Sequence, residues 1–125
     1  MSKDSSFLVY IPGACTLEDA ERALVAAKLG VTRDGDTLAV RMGTGPTLFV
    51  GLNAEPWVVL EATELSEDSE TPEIAECTRR FEVAIEDLEQ ALDEYNTLFE
   101  VQAVLQDLTH GWVLLSWNGE LMAPE

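Results

Sequence analysis

A formal charge of −17 at pH 7 on 125 residues restricts this chain more than any motif in it, because the same chain is 46% hydrophobic. Strong net charge with few apolar residues leaves a chain disordered; here there is enough apolar material for a core. The excess of 24 acidic over 7 basic residues therefore belongs on a folded surface, where it repels itself and costs stability. Such a surface suits a basic protein partner or a high-salt setting. It repels nucleic acid and anionic membrane, both of which carry phosphate charge.

The length is that of one domain, 1–125, with one core. The longest early apolar run, Phe7 to Ile11, is shorter than the roughly 7–15 residues of a signal-peptide core. Nothing approaches the roughly 18 apolar residues of a membrane span. These features lead us to expect a cytoplasmic protein. Cys15 and Cys77 form neither a disulfide framework nor a CxxC pair, and read as two reduced thiols. Only Lys3 and Lys28 are lysines, which also fits a halophile's surface. Glu outnumbers Asp, however, and the large aliphatics are plentiful.

Phe7 to Ile11 reads as a buried strand closed by Pro12-Gly13. Thr16 reads as the cap of a helix running to Leu29, with Glu18 and Asp19 at its positive end and Gly30 as its C′ residue. Thr37–Met42, Thr47–Leu52 and Trp57–Thr63 read as a three-strand meander around the Gly43-Thr44-Gly45-Pro46 and Asn53-Ala54-Glu55-Pro56 turns. Thr71-Pro72 opens the strongest periodic stretch. Ile74, Cys77, Phe81, Ala84, Leu88, Ala91 and Tyr95 step by three and four, which predicts one helix over Pro72–Tyr95. Thr97–Gln106 fits either period, and its alternation favours a strand. Trp112–Trp117 reads as a strand, and Asn118-Gly119 as a hairpin turn returning through Leu121-Met122. The expected class is α+β, an antiparallel sheet of about five to six strands in the order β-α-β-β-β-α-β-β, with both helices on one face.

From Thr16 to Met122 this order, helix, three strands, helix, two strands, resembles the type III secretion chaperone fold. Members of that family are small, acidic, cytoplasmic and often dimeric. The chain departs from the pattern in its extra strand before Thr16 and in lacking a closing helix. The resemblance implies a protein-binding role and a possible homodimer; it assigns no residue.

Cys15 is the best reactive candidate. It directly precedes the expected helix cap, where N–H groups and the helix dipole lower a thiol pKa. Tyr10-Ile11-Pro12-Gly13-Ala14-Cys15-Thr16-Leu17 resembles the start of some bacterial glutathione transferases, although the chain is too short for their second, helical domain. Cys77 falls on the apolar stripe and reads as core. His110 is the only histidine, and with Asp107 it makes a pair where a catalytic zinc needs three protein ligands. No serine sits in a nucleophile elbow, and no glycine run makes a phosphate loop.

Glu82, Glu86, Glu89 and Asp93 step by four, three and four, and on the expected helix they share one face. No Lys or Arg follows Arg80 to relieve their repulsion. They read either as a solvated face or as a docking stripe for a basic partner. Trp112 and Trp117, five apart on one strand, should point to opposite faces, and Trp117 is the candidate interface anchor. The sequence thus leads us to expect a non-enzymatic acidic module. It would bind a basic protein in the manner of a secretion chaperone or an immunity protein, with no cofactor, no metal, no nucleic acid and no membrane. A thiol enzyme or small-molecule binder centred on Cys15, and a nucleic-acid mimic, are the alternatives.

Overall fold

Alternation along the first strand, β1 (Ser6–Ile11), sets two faces that the rest of the chain follows. In a computed structural model, which describes residues 6–42, 46–93, 96–117 and 119–124, Phe7, Val9 and Ile11 join one apolar cluster. Leu8 and Tyr10 join another, as a period of two requires.

The first helix, α1 (Leu17–Ala26), begins as its sequence dictates. Thr16 Oγ1 accepts from the Asp19 N–H at 3.2 Å, and the Asp19 carboxylate accepts from the Thr16 N–H at 3.0 Å. This is a full capping box. Leu17, Ala20 and Leu24 are buried. The helix ends earlier than expected. Lys28 takes the left-handed conformation (φ 67°), with Leu29 N–H donating to the Leu24 carbonyl and Lys28 N–H to that of Val25. This is a Schellman end built without glycine. Gly30, expected as the C′ residue, instead starts β2 (Gly30–Asp34), which turns through Gly35 into β3 (Thr37–Arg41). β4 (Leu48–Asn53) pairs with β3; the Gly43-Thr44-Gly45 turn lies outside the described residues.

Three expected elements take a different form. Trp57–Thr63 is not a third meander strand but part of α2 (Pro56–Asp68). Pro56 sits in the first turn, where its missing N–H costs nothing. Val58, Ala62 and Ser66 are buried at every fourth position, so helical period wins over β-branched content. α2 also ends on a left-handed residue other than glycine, Glu70 (φ 56°).

Pro72–Tyr95 is not one helix. It divides into a 3-10 turn (Pro72–Glu76), β5 (Arg79–Ile85) and α3 (Leu88–Asp93). Phe81, Val83 and Ile85 are buried in the main cluster, while Ala84 is exposed. The step from Phe81 to Ala84 that imitates a helical period joins opposite faces of a strand. Glu94, Tyr95 and the Leu88 side chain lie outside the described residues.

Thr97–Gln106 is helical within α4 (Asn96–Thr109). Leu98, Val101 and Leu105 face the core at helical spacing, while Phe99 and Ala103 face outward. Their apparent alternation spans both sides of a helix. His110 (φ 54°) closes α4, its N–H donating to the Gln106 carbonyl at 2.7 Å.

The strand after α4 falls where expected, as β6 (Trp112–Leu115). A stub, β7 (Leu121–Met122), pairs with it beyond a turn in which Gly119 has φ 75° and Asn118 lies outside the described residues. Gly111, just before β6, touches the centre of the sheet. A Cβ there would lie 2.4 Å from the Tyr10 carbonyl oxygen.

The class is α+β, with seven strands in the order β2-β3-β4-β5-β1-β6-β7, every described neighbour antiparallel. The helices do not share one face. Residues of α1, α3 and α4 join the main cluster, with Phe81, Val83, Leu38 and Val50 from the strands. α2 and the 3-10 turn cover part of the other face through a smaller cluster of Tyr10, Val58, Ala62, Ile74 and Cys77. Among the described residues no helix is long and apolar enough to cross a membrane.

Candidate functional site

The second face of the sheet is only half covered. Strand registers place its side chains in rows. Asn53, Arg80, Tyr10 and Trp112 form the row nearest α2. Thr37, Gly51, Glu82 and Leu8 form the next. Ala39, Phe49, Ala84 and Ser6 form a third, farther from α2. In that outer row Phe49 keeps 36% of its surface exposed, and Ala84 is exposed. A groove of about 530 Å³ runs across these strands, lined by Ser6, Leu8, Phe49, Gly51, Glu82 and Ala84 among others.

Arg80 is the centre of this face. Its position on β5 turns it away from the main core, and α2 folds over it, leaving it 6% exposed. A buried cation needs partners, and Arg80 has them all around. Nη1 donates to Tyr10 Oη at 2.9 Å and to Glu61 Oε1 at 3.1 Å, while Nε donates to Glu82 Oε2 at 2.8 Å. Its guanidinium carbon lies 4.9 Å from the Trp57 ring centre and 5.6 Å from that of Tyr10, within cation–π range. Burial alone would lower the Arg80 pKa; the hydrogen bonds that Arg80 donates to Glu82, Glu61 and Tyr10, with the negative charge Tyr10 carries when ionised, more than offset it and raise it. Burial raises the Tyr10 pKa despite the nearby guanidinium.

Asn53 completes the cluster. Its Nδ2 donates to Glu82 Oε2 at 3.0 Å, and its Oδ1 accepts from the Glu55 N–H at 3.0 Å just before α2 begins. One side chain thus ends β4, positions the start of α2 and holds Glu82. Every N–H-bearing nitrogen of Arg80 is committed to Glu82, Glu61 or Tyr10. Its chemistry here is to tie α2 to the sheet and to fix two carboxylates. Those carboxylates stay wet: the Glu61 side chain is 47% exposed and that of Glu82 41%.

Of the site residues expected from sequence, only Glu82 lies on this face. The stripe of Glu82, Glu86, Glu89 and Asp93 does not exist as one helical face. Glu82 belongs to β5, Glu86 follows its end, and Glu89 and Asp93 lie on α3. Trp112 and Trp117 do take opposite faces: Trp112 packs on the smaller cluster and Trp117, half-buried, on the main one. Tyr10, Trp57, Glu61 and Arg80 escaped sequence reading. Their only signal is an arginine in a chain with few bases, and nothing local shows that α2 will cover it.

The thiols are free. Cys15 lies beside the α1 cap, yet its pKa is raised, by burial first and then by the Asp19 carboxylate, outweighing Arg79 and a hydrogen bond with Thr16. Cys77 is fully buried and pushed up to about 11. His110 is exposed in the turn after α4. Among the described residues no three His, Cys, Asp or Glu side chains converge as metal ligands. No family model, no curated protein and no solved structure matches this chain.

Proposed function

We propose that this chain is a non-enzymatic acidic protein-binding module that engages a basic protein partner in a cytoplasmic setting, in the manner of a secretion chaperone or an immunity protein. The observation that carries the reading is the half-covered sheet face. It combines exposed apolar side chains, Phe49 and Trp57, with wet carboxylates, on a chain of net charge −17. Aromatic anchors supply binding energy and complementary charge supplies encounter rate. Like charge on every copy favours a heterologous basic partner over a homodimer, and it disfavours nucleic acid. The raised Cys15 pKa weighs against an activated-thiol enzyme, since nucleophilic thiols are stabilised as thiolates.

The test is capture from native lysate, followed by purification of the captured protein and binding kinetics at two ionic strengths. A basic protein that binds with defined stoichiometry, and whose association slows with salt, supports the reading. Salt-independent association, or a captured metabolite or thiol adduct in place of a protein, contradicts it.

A further inference from the structure

We infer that the partner docks in the groove across β3, β4 and β5, as a segment that lays aliphatic side chains on Phe49 and Ala84 and a lysine or arginine beside Glu82 and Glu61. The inference rests on the reading of a basic partner and names where and how that partner binds. The groove is open because several residues at its floor are small. Gly51 has no side chain, a Cβ there would find only the Asp36 carbonyl oxygen at 3.8 Å, and Ala84 and Ser6 are short. Phe49 is the largest apolar side chain among the described lining residues, at 36% exposure. A volume of about 530 Å³ takes a few side chains of a docked segment.

Charge sets the chemistry of the occupant. Two carboxylates, Glu61 and Glu82, share one guanidinium, Arg80, so the cluster keeps one net negative charge. Arg80 and Asn53 hold Glu82 in place before any partner arrives, so a cation meets a positioned acceptor and less ordering cost is left for binding. Arg41 lies on the same face beyond the Phe49 row, over Gly30. Among the described residues Glu82 is the acidic side chain that lines the groove, and Arg41 does not line it. A docked segment would have its cation at the Glu82 end. The acidic α3, by comparison, offers exposed Glu89 and Asp93 and can steer, but no described exposed aromatic lies on it to anchor a partner.

The test uses the full chain, isotope-labelled for NMR, and three synthetic peptides of equal length: alternating Lys/Leu, Gln/Leu and Lys/Ser. The Lys/Leu peptide should shift the amides of Thr37, Phe49–Gly51 and Glu82–Ala84 saturably, and each control should bind at least about tenfold more weakly. Ala84→Arg and Glu82→Gln should each weaken the Lys/Leu peptide, and Glu89→Lys should not; Phe49→Ser is the second apolar probe if Ala84→Arg disturbs folding. Shifts centred on Glu89–Asp93, equal binding of all three peptides, no binding of Lys/Leu, or the same shifts from self-association would each overturn the docking assignment. The reading of a basic partner falls separately, if the purified captured protein associates independently of salt.

Discussion

The two faces of the sheet are built from different materials. Toward α1, α3 and α4 the buried side chains are mainly aliphatic or aromatic, joined by Thr97, Gln102 and Thr109 of α4, and the apolar ones form one continuous cluster from Leu38 through Phe81 to Val113. Toward α2 the cluster is small, and its cover is pinned by a buried arginine between two aromatic rings and two carboxylates. Apolar burial is non-directional and tolerates no gaps. A charged tether is directional and leaves its surroundings wet. The first face should therefore carry most of the stability of the fold, while the second stays half open.

The largest expected effect lies on the covered face. Phe81 is fully buried there, and Phe81→Ala should cost about 3–5 kcal/mol, read from the denaturant midpoint. A loss below about 1 kcal/mol, the centre of ordinary substitutions, would show that this face does not carry the fold. On the other face Arg80→Leu should cost less, about 1–3 kcal/mol, the range for leaving a buried polar group without its partner. Glu61 and Glu82 can fall back on water, whereas the buried Tyr10 hydroxyl cannot. Equal losses for the two variants would mean that the faces share the load.

A pH titration sharpens the contrast. The Cys77 pKa is about 11 in the fold against an ordinary 9.0, and that of Tyr10 is raised above 10.0, both through burial on the α2 face. A folded-state pKa above the unfolded one contributes stability that is present below the unfolded value and lost as pH rises through the folded one. Unfolding midpoints should therefore fall from pH 9 toward pH 11, and Cys77→Ala should flatten that fall. An identical slope in the variant would remove the thiol from the account.

The smallest effects concern helix ends, and they explain much of what the sequence conceals. α1, α2 and α4 end at Lys28, Glu70 and His110, each with positive φ, where glycine is the usual signal. Replacing any of the three by glycine should be neutral or stabilise by up to about 1 kcal/mol, because a left-handed residue with a Cβ is strained by roughly 1–2 kcal/mol and glycine's greater freedom in the unfolded chain offsets part of the gain. A clear destabilisation would show that these side chains make contacts that matter.

Local chemistry made α1 legible, since Thr16 and Asp19 sit within one turn of each other, and the β-branched runs at β1, β3, β4 and β6 needed no distant partner. Arg79–Ile85 was not legible as a strand. Phe81, Val83 and Ile85 have period two, but Ile74, Cys77, Phe81 and Ala84 overlay a helical period, and only pairing with β1 and β4 decides between them. The same tertiary choice hid the site. Arg80 becomes buried because Trp57, far away in sequence, stacks on it. Glu82 was visible as a candidate through an alignment on a helix, and it reaches the groove through a strand.

The most direct test of this division of labour is one variant measured twice. Ala84→Arg puts bulk and positive charge on the exposed row of the open face and leaves the main cluster untouched. Its unfolding free energy should stay within about 0.5 kcal/mol of the parent, while affinity for the purified basic partner should fall by about tenfold or more, roughly 1.4 kcal/mol. Unchanged affinity, or a loss of stability with binding intact, would contradict the account.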